Sequence, residues 1–277
     1  MTLFGSSEKK HLSPPSYDNP PAYDDHKASS HDGASSIGSD ISERDFTPTK
    51  QLQIEAVGYT FDSALYGNNF EQIAVFCPAS GEREYTSIRL KKSSNSCALV
   101  RGASAAQPPL LATVYRWGPG RPPKIRIFPK DSTVSVEDAI NSDSVPCELV
   151  GVKSRNMFSR TQRMETSFGT FEWRYGNRGE RKEVDQADSL LVMDRVDPAK
   201  KESTRIAHMV RSDEFRTEGT TKCMGGNGGR LMIDLSPWAD DKTTAAKDVE
   251  AFVVASCICM LKREADRFQN NAVAAVV

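Results

Sequence analysis

The chain has no apolar run long enough to cross a bilayer. Its most apolar stretch, Ala251–Leu261, is eleven residues and rises about 16 Å as a helix, against roughly 30 Å of bilayer hydrocarbon. The first residues contain no apolar leader segment, so secretion is not expected and a cytoplasmic location is. An excess of either charge is also missing. With 36 Lys and Arg against 37 Asp and Glu the formal net charge is -1, which argues against a nucleic-acid partner. The six cysteines are scattered and form no Cys-x-x-Cys pair. Cys257 and Cys259 point about 200° apart on a helix and cannot share a metal. Reduced thiols are the expected state, with no metal and no cofactor. His208 is the only histidine outside the N-terminal fifty residues, and no nucleophile–base pair or recognisable carboxylate spacing accompanies it. Enzyme chemistry is not expected.

The N-terminal tail, in contrast, carries a legible motif. Pro14-Pro15-Ser16-Tyr17 and Pro20-Pro21-Ala22-Tyr23 are two copies of Pro-Pro-x-Tyr (PPxY), six residues apart. Paired prolines pre-set a polyproline II helix of three residues per turn, so the first Pro and the Tyr of each copy share one face. Aromatic-lined grooves such as those of WW domains bind such ridges. Pro14, Pro15 and Tyr17, then Pro20, Pro21 and Tyr23, are the expected contacts. The copies lie about 19 Å apart when extended, which favours alternative use by one domain over simultaneous binding of two. Residues 1–48 are rich in Ser, Pro, Asp and Gly, hold few large apolar side chains, and are expected to be disordered. Ser13-Pro14 and Thr47-Pro48 fit proline-directed phosphorylation, or are simply Ser/Thr-Pro pairs in a polar tail.

From residue 51 the texture changes to short alternating or apolar runs separated by Gly, Pro, Asn and Ser, the pattern of antiparallel strands. These include Leu52–Val57, Tyr85–Leu90, Lys124–Phe128, Cys147–Lys153, Thr170–Tyr175 and Leu231–Leu235, with a short helical or irregular insertion within 131–146. One long helix is expected over about 243–268, with Asp240 and Asp241 before it and Lys262, Arg263 and Arg267 near its end, complementing the dipole. The middle of that helix has no charged face and must be enclosed, by lipid or by protein. Its length favours protein. The expected fold is mainly β: a closed antiparallel barrel of about 12 strands over 51–270 enclosing the apolar helix, with a short tail at 271–277.

That arrangement resembles the tubby C-terminal-like superfamily, which includes tubby proteins, phospholipid scramblases and the plant LURP-one-related proteins. The residues that carry the likeness are Leu231-Met232-Ile233-Asp234-Leu235, the short connector to Thr243, and Val249–Leu261 followed by Lys262-Arg263-Glu264. The proline-rich tail is similar to that of scramblases, and the overall character is that of a fungal-type member. The resemblance implies phosphoinositide binding or lipid scrambling as a function for the barrel. Asp234–Asp241 lacks the alternating Asp-x-Asp spacing of a calcium loop, so calcium-driven lipid movement is not expected.

Two basic stretches are candidates for an anionic headgroup. No acidic residue occurs from Gln107 to Lys130, where Arg116, Arg121, Lys124, Arg126 and Lys130 stand; Lys153 and Arg155, with Arg160 and Arg163, form a second acid-free run. Brought together, they would attract anionic lipid. The alternative is that they are outward strand residues paired with carboxylates elsewhere. Gly225-Gly226-Asn227-Gly228-Gly229 lies between two strand-like runs and reads as a hairpin or loop, not a phosphate cradle. The expected function is a non-enzymatic adaptor. Its tail recruits WW-domain proteins, HECT-type ubiquitin ligases being the favoured class, and its barrel addresses anionic membrane lipid. A scramblase-like or phosphoinositide-binding membrane protein is the alternative.

Overall fold

The wall of the molecule is built by strands that turn one face toward a shared core. In β1 (Lys50–Tyr59), Leu52, Ile54 and Ala56 are buried, while Gln51 and Val57 are exposed. The computed structural model describes residues 46–59, 72–91, 94–115, 121–155, 159–200, 202–239 and 244–274; the two PPxY motifs lie outside them. Among the described residues thirteen strands form one antiparallel sheet, in the order β7-β6-β5-β4-β3-β2-β1-β13-β12-β11-β10-β9-β8. The strands are β2 (Gln72–Phe76), β3 (Arg83–Ile88), β4 (Cys97–Arg101), β5 (Leu111–Val114), β6 (Lys124–Ile127), β7 (Glu148–Gly151), β8 (Lys153–Ser154), β9 (Gln162–Thr166), β10 (Gly169–Tyr175), β11 (Ser189–Asp197), β12 (Glu202–Arg211) and β13 (Gly225–Ile233).

The two ends of this order are consecutive in the chain, and that nearly closes the barrel. Residues 148–151 pair with β6, and residues 153–154 pair with β9, so one run changes partner at Val152. This is why thirteen strands stand where about 12 are expected: the run Cys147–Lys153 is divided in two. The Glu148 carboxylate strengthens the seam, accepting from the Ser167 amide and hydroxyl at 2.7 Å each.

Through the barrel runs helix α3 (Thr244–Ala274); α1 (Val136–Asn141) and α2 (Arg178–Glu183) lie in connections. Ser135 caps α1 by accepting from the Asp138 amide, and Asn177 with Glu180 forms a capping box on α2. Every residue from Val249 to Lys262 is buried. Phe252, Val253, Val254, Ile258, Met260 and Leu261 pack against inward side chains such as Leu52, Ile54, Phe171, Trp173 and Leu231. Each such side chain contributes about 1.5–3 kcal/mol on leaving water.

The few polar groups of the helix are matched to the wall. Tyr85 donates to Glu250 at 2.8 Å, and Trp173 donates its indole hydrogen to Ser256 at 2.9 Å. Arg211 grips Glu264 at 2.5 and 3.0 Å while also donating to Asn227 and Ser189.

The glycine-rich segment departs from its expected loop. Residues 225–229 are the first half of β13, paired with β1 from Tyr59 to Ile54. Their lack of side chains lets other backbone approach. A Cβ on Gly228 would sit 1.9 Å from the Ile54 carbonyl oxygen, and one on Gly226 would sit 2.6 Å from that of Leu261 in the helix. Glycine here permits strand–helix contact at backbone distance.

Candidate functional site

The barrel has two mouths. At the entry mouth α3 begins, β1 starts opposite the end of β13 (Lys50 against Ile233), and Trp238 of the turn Ser236–Trp238 packs beside Phe171. At the exit mouth β1 ends opposite the start of β13 (Tyr59 against Gly225), and the last turns of the helix leave past Glu264 and Phe268.

Strand register decides where the basic residues go. Val114 pairs with Lys124, Lys124 with Gly151, Lys153 with Arg163, and Ser154 with Gln162. The Pro123 carbonyl accepts from the Val152 amide at 3.0 Å, and that of Thr161 accepts from Arg155 at 3.1 Å. Both acid-free runs therefore reach the same mouth, the one from which the helix leaves. Arg121, Lys124, Lys153 and Arg155 come together there, joined by Arg160, whose guanidinium lies 6.0 Å from the centre of the Tyr175 ring.

A third element belongs with them and lies outside the stretches singled out in the sequence. The connection 89–96 between β3 and β4 turns at the same mouth and carries Arg89 and Lys91. It is braced on the helix. Lys262 donates to the Asn95 carbonyl at 3.0 Å, and the Asn95 side chain donates to Asp266 at 2.6 Å. No Asp or Glu occurs anywhere from Tyr85 to Lys130, or from Leu149 to Met164. That longer gap is the sequence signal by which Arg89 and Lys91 could have been found. The described ends of three connections (89–91 with 94–96, 121–123, and 155 with 159–161) thus line one half-rim, and no acidic residue occurs in the sequence of those connections. On the helix, Glu264 is already held by Arg211. Burial would raise its pKa, but the Arg211 charge and hydrogen bonds overcome this and keep it low.

Two candidates stand apart from this group. Arg126 points outward on β6 but is covered: it is 5% exposed and donates to the Ala139 and Ser142 carbonyls at 3.0 and 2.6 Å, as well as to Asp143. It pins α1 to the barrel wall and offers no exposed charge. Lys130 lies at the entry mouth, 3.3 Å from Asp248 near the start of the helix. Arg116 and the six PPxY residues lie outside the described residues. Farther down the outer wall the second run is partly neutralised. Arg155 and Arg163 reach Glu172 at 3.8 and 3.7 Å, and Arg163 also reaches Glu165 at 3.3 Å. Among the described residues Lys124 and Lys153 make no ion pair within 4 Å.

The void between α3 and strands β3–β5, lined by Ser87, Cys97, Thr113 and Ala255 among others, is too small for a water. On the outside, a cleft of about 310 Å³ lies between the 89–96 connection and α1, lined by Leu90, Lys91, Ser94, Tyr115 and Arg126. His208 sits under Phe46, with ring centroids 4.5 Å apart, and its Nε2 is 3.2 Å from the Met232 sulfur. Burial, followed by the Arg205 charge, lowers its pKa to about 4. No group of His, Cys, Asp and Glu among the described residues is arranged to hold a metal, and no described helix is long and apolar enough to cross a membrane. No family model, curated protein or solved structure matches the chain.

Proposed function

We propose that this chain is a non-enzymatic adaptor of the tubby C-terminal-like type. Its barrel binds anionic membrane lipid through the half-rim of Arg121, Lys124, Lys153, Arg155 and Arg160, and its PPxY tail recruits WW-domain proteins such as HECT-type ubiquitin ligases. The observation that carries this reading is the convergence of two separate acid-free runs at one mouth of the barrel. Each cation near a lipid surface contributes about 1 kcal/mol, less for Arg155 because it also reaches Glu172, and together they suffice for reversible attachment.

Two measurements test the halves separately. Cosedimentation of the full chain should require anionic vesicles, weaken with salt, and be lost on Arg121→Glu/Lys124→Glu/Lys153→Glu. Equal binding to neutral and anionic vesicles rejects the lipid half. Titration of a single WW domain should show modest weakening with Tyr17→Ala or Tyr23→Ala and loss of binding with both. Undiminished binding by the double variant rejects the recruitment half.

A further inference from the structure

Three large hydrophobic side chains are exposed among the described residues: Val57 at 54%, Leu90 at 44% and Leu149 at 52%. Leu149 lies on the outer wall opposite Arg126, away from the exit mouth. Leu90 stands in the 89–96 connection of the half-rim, within the sequence Arg89-Leu90-Lys91-Lys92. We infer that Leu90 is a membrane-inserting side chain, which enters the acyl boundary of an anionic bilayer and sets the barrel end-on to its surface.

The argument begins with the connection itself. It is held in shape by the Lys262 and Asp266 contacts to Asn95, by Arg89 donating to the Asn95 side chain at 3.4 Å, and by the Tyr115 amide donating to Ser96 at 2.9 Å. A loop braced this way presents its leucine in a fixed position, and a pre-organised contact loses less entropy on binding. Arg89 and Lys91 flank that leucine in the chain. This is the distribution an interface of phosphates over acyl chains requires, with the apolar group below and the ammonium and guanidinium groups at phosphate level. An acidic protein surface would satisfy the cations but gives no reason for an apolar group at their centre.

The direction of the helix agrees. The backbone of α3 continues beyond Phe268 to Ala274, about 9 Å further along its axis. The sequence from Gln269 to Val277 contains no charge. Leu90 and the helix extension thus belong to the same mouth, and end-on docking brings both toward the lipid.

This inference rests on the lipid reading above, and the experiment separates the two. Purified full-length protein is sedimented with vesicles of phosphatidylcholine alone and with about 30% phosphatidylserine, for wild type, Leu90→Ala, Leu90→Trp, Leu149→Ala and the Arg121/Lys124/Lys153→Glu variant. Melting curves check that each is folded. Leu90→Ala should weaken binding to anionic vesicles by about tenfold with the salt dependence kept, while Leu149→Ala leaves binding unchanged. Leu90→Trp should retain binding and gain fluorescence quenching by brominated acyl chains. If the charge variant loses binding while Leu90→Ala binds like wild type, docking is purely electrostatic and the insertion is wrong, though the lipid reading stands. Equal weakening by Leu90→Ala and Leu149→Ala also overturns it. If wild type does not bind anionic vesicles, both fail.

Discussion

Tyr85 on β3 donates its phenolic hydrogen to Glu250 on α3 at 2.8 Å, and both side chains are buried. This bond joins the barrel wall to its central helix near the entry mouth. Burial, reinforced by the nearby carboxylate, drives the Tyr85 pKa far above its ordinary value, so the phenol remains a donor at any accessible pH. Replacing Tyr85 with Phe leaves Glu250 without that donor. The expected loss is about 1–3 kcal/mol, read as a lower urea midpoint at constant slope. Tyr85→Phe combined with Glu250→Leu should recover part of the loss, because an apolar pair leaves no polar group stranded.

Stability should fall in two separate pH windows. The folded His208 imidazole takes a proton only near pH 4, whereas the unfolded one does so near 6.5. The unfolded chain therefore binds more protons between these values, and stability drops as pH falls from 6.5 to 4. Glu180 and Glu264 act lower. Burial opposes their ionisation, but for Glu180 the hydrogen bond from Arg174 leads the opposing contacts, taking its pKa down to about 2. The Arg211 charge lowers that of Glu264. Their contribution is complete above about pH 4.5 and is lost as pH falls toward the folded values. His208→Phe should abolish the upper window and leave the lower one, as followed by denaturant titration at half-unit pH steps.

Two glycines with similar backbone angles should respond differently to alanine. Gly219 has φ +76° and nothing within 4 Å of the place a methyl group would take; Gly226 has φ +79°, with the Leu261 carbonyl oxygen 2.6 Å away and the Ala265 methyl 2.9 Å away. Gly219→Ala meets only the left-handed backbone penalty, about 1–2 kcal/mol. Gly226→Ala adds a clash with the helix backbone and should cost on the order of 4 kcal/mol or more. Comparable thermal midpoints for the two variants would contradict the close approach of β13 and α3.

The wall and its central helix were legible in the sequence for different reasons. Leu52, Ile54 and Ala56 alternate with more polar neighbours, which only a strand with one buried face requires. Ala251–Leu261 lacks a charged side, which only an enclosed helix tolerates. The glycines of β13 were not legible, because the reason for them is the backbone of Leu261, distant in sequence. Arg126 also misleads: its place on β6 is that of an outward residue, and only the α1 carbonyls at Ala139 and Ser142 reveal its structural use. The half-rim was half legible. Its acid-free composition can be read directly, but the convergence of Lys124 and Lys153 depends on the partner change at Val152, which no local pattern marks.

The order of the elements along the chain has a consequence for synthesis. Inward side chains from every described strand but β8 share a packing partner in Val249–Leu261, which follows all of those strands in the chain. A nascent chain that has completed every strand still exposes the faces of Leu52, Ile54, Phe171 and Leu231 to water. Such an intermediate is prone to aggregate and to engage chaperones. A premature stop shortly before α3 would therefore leave a sheet with nothing inside it, and the product would be a substrate for quality control in place of a smaller working barrel.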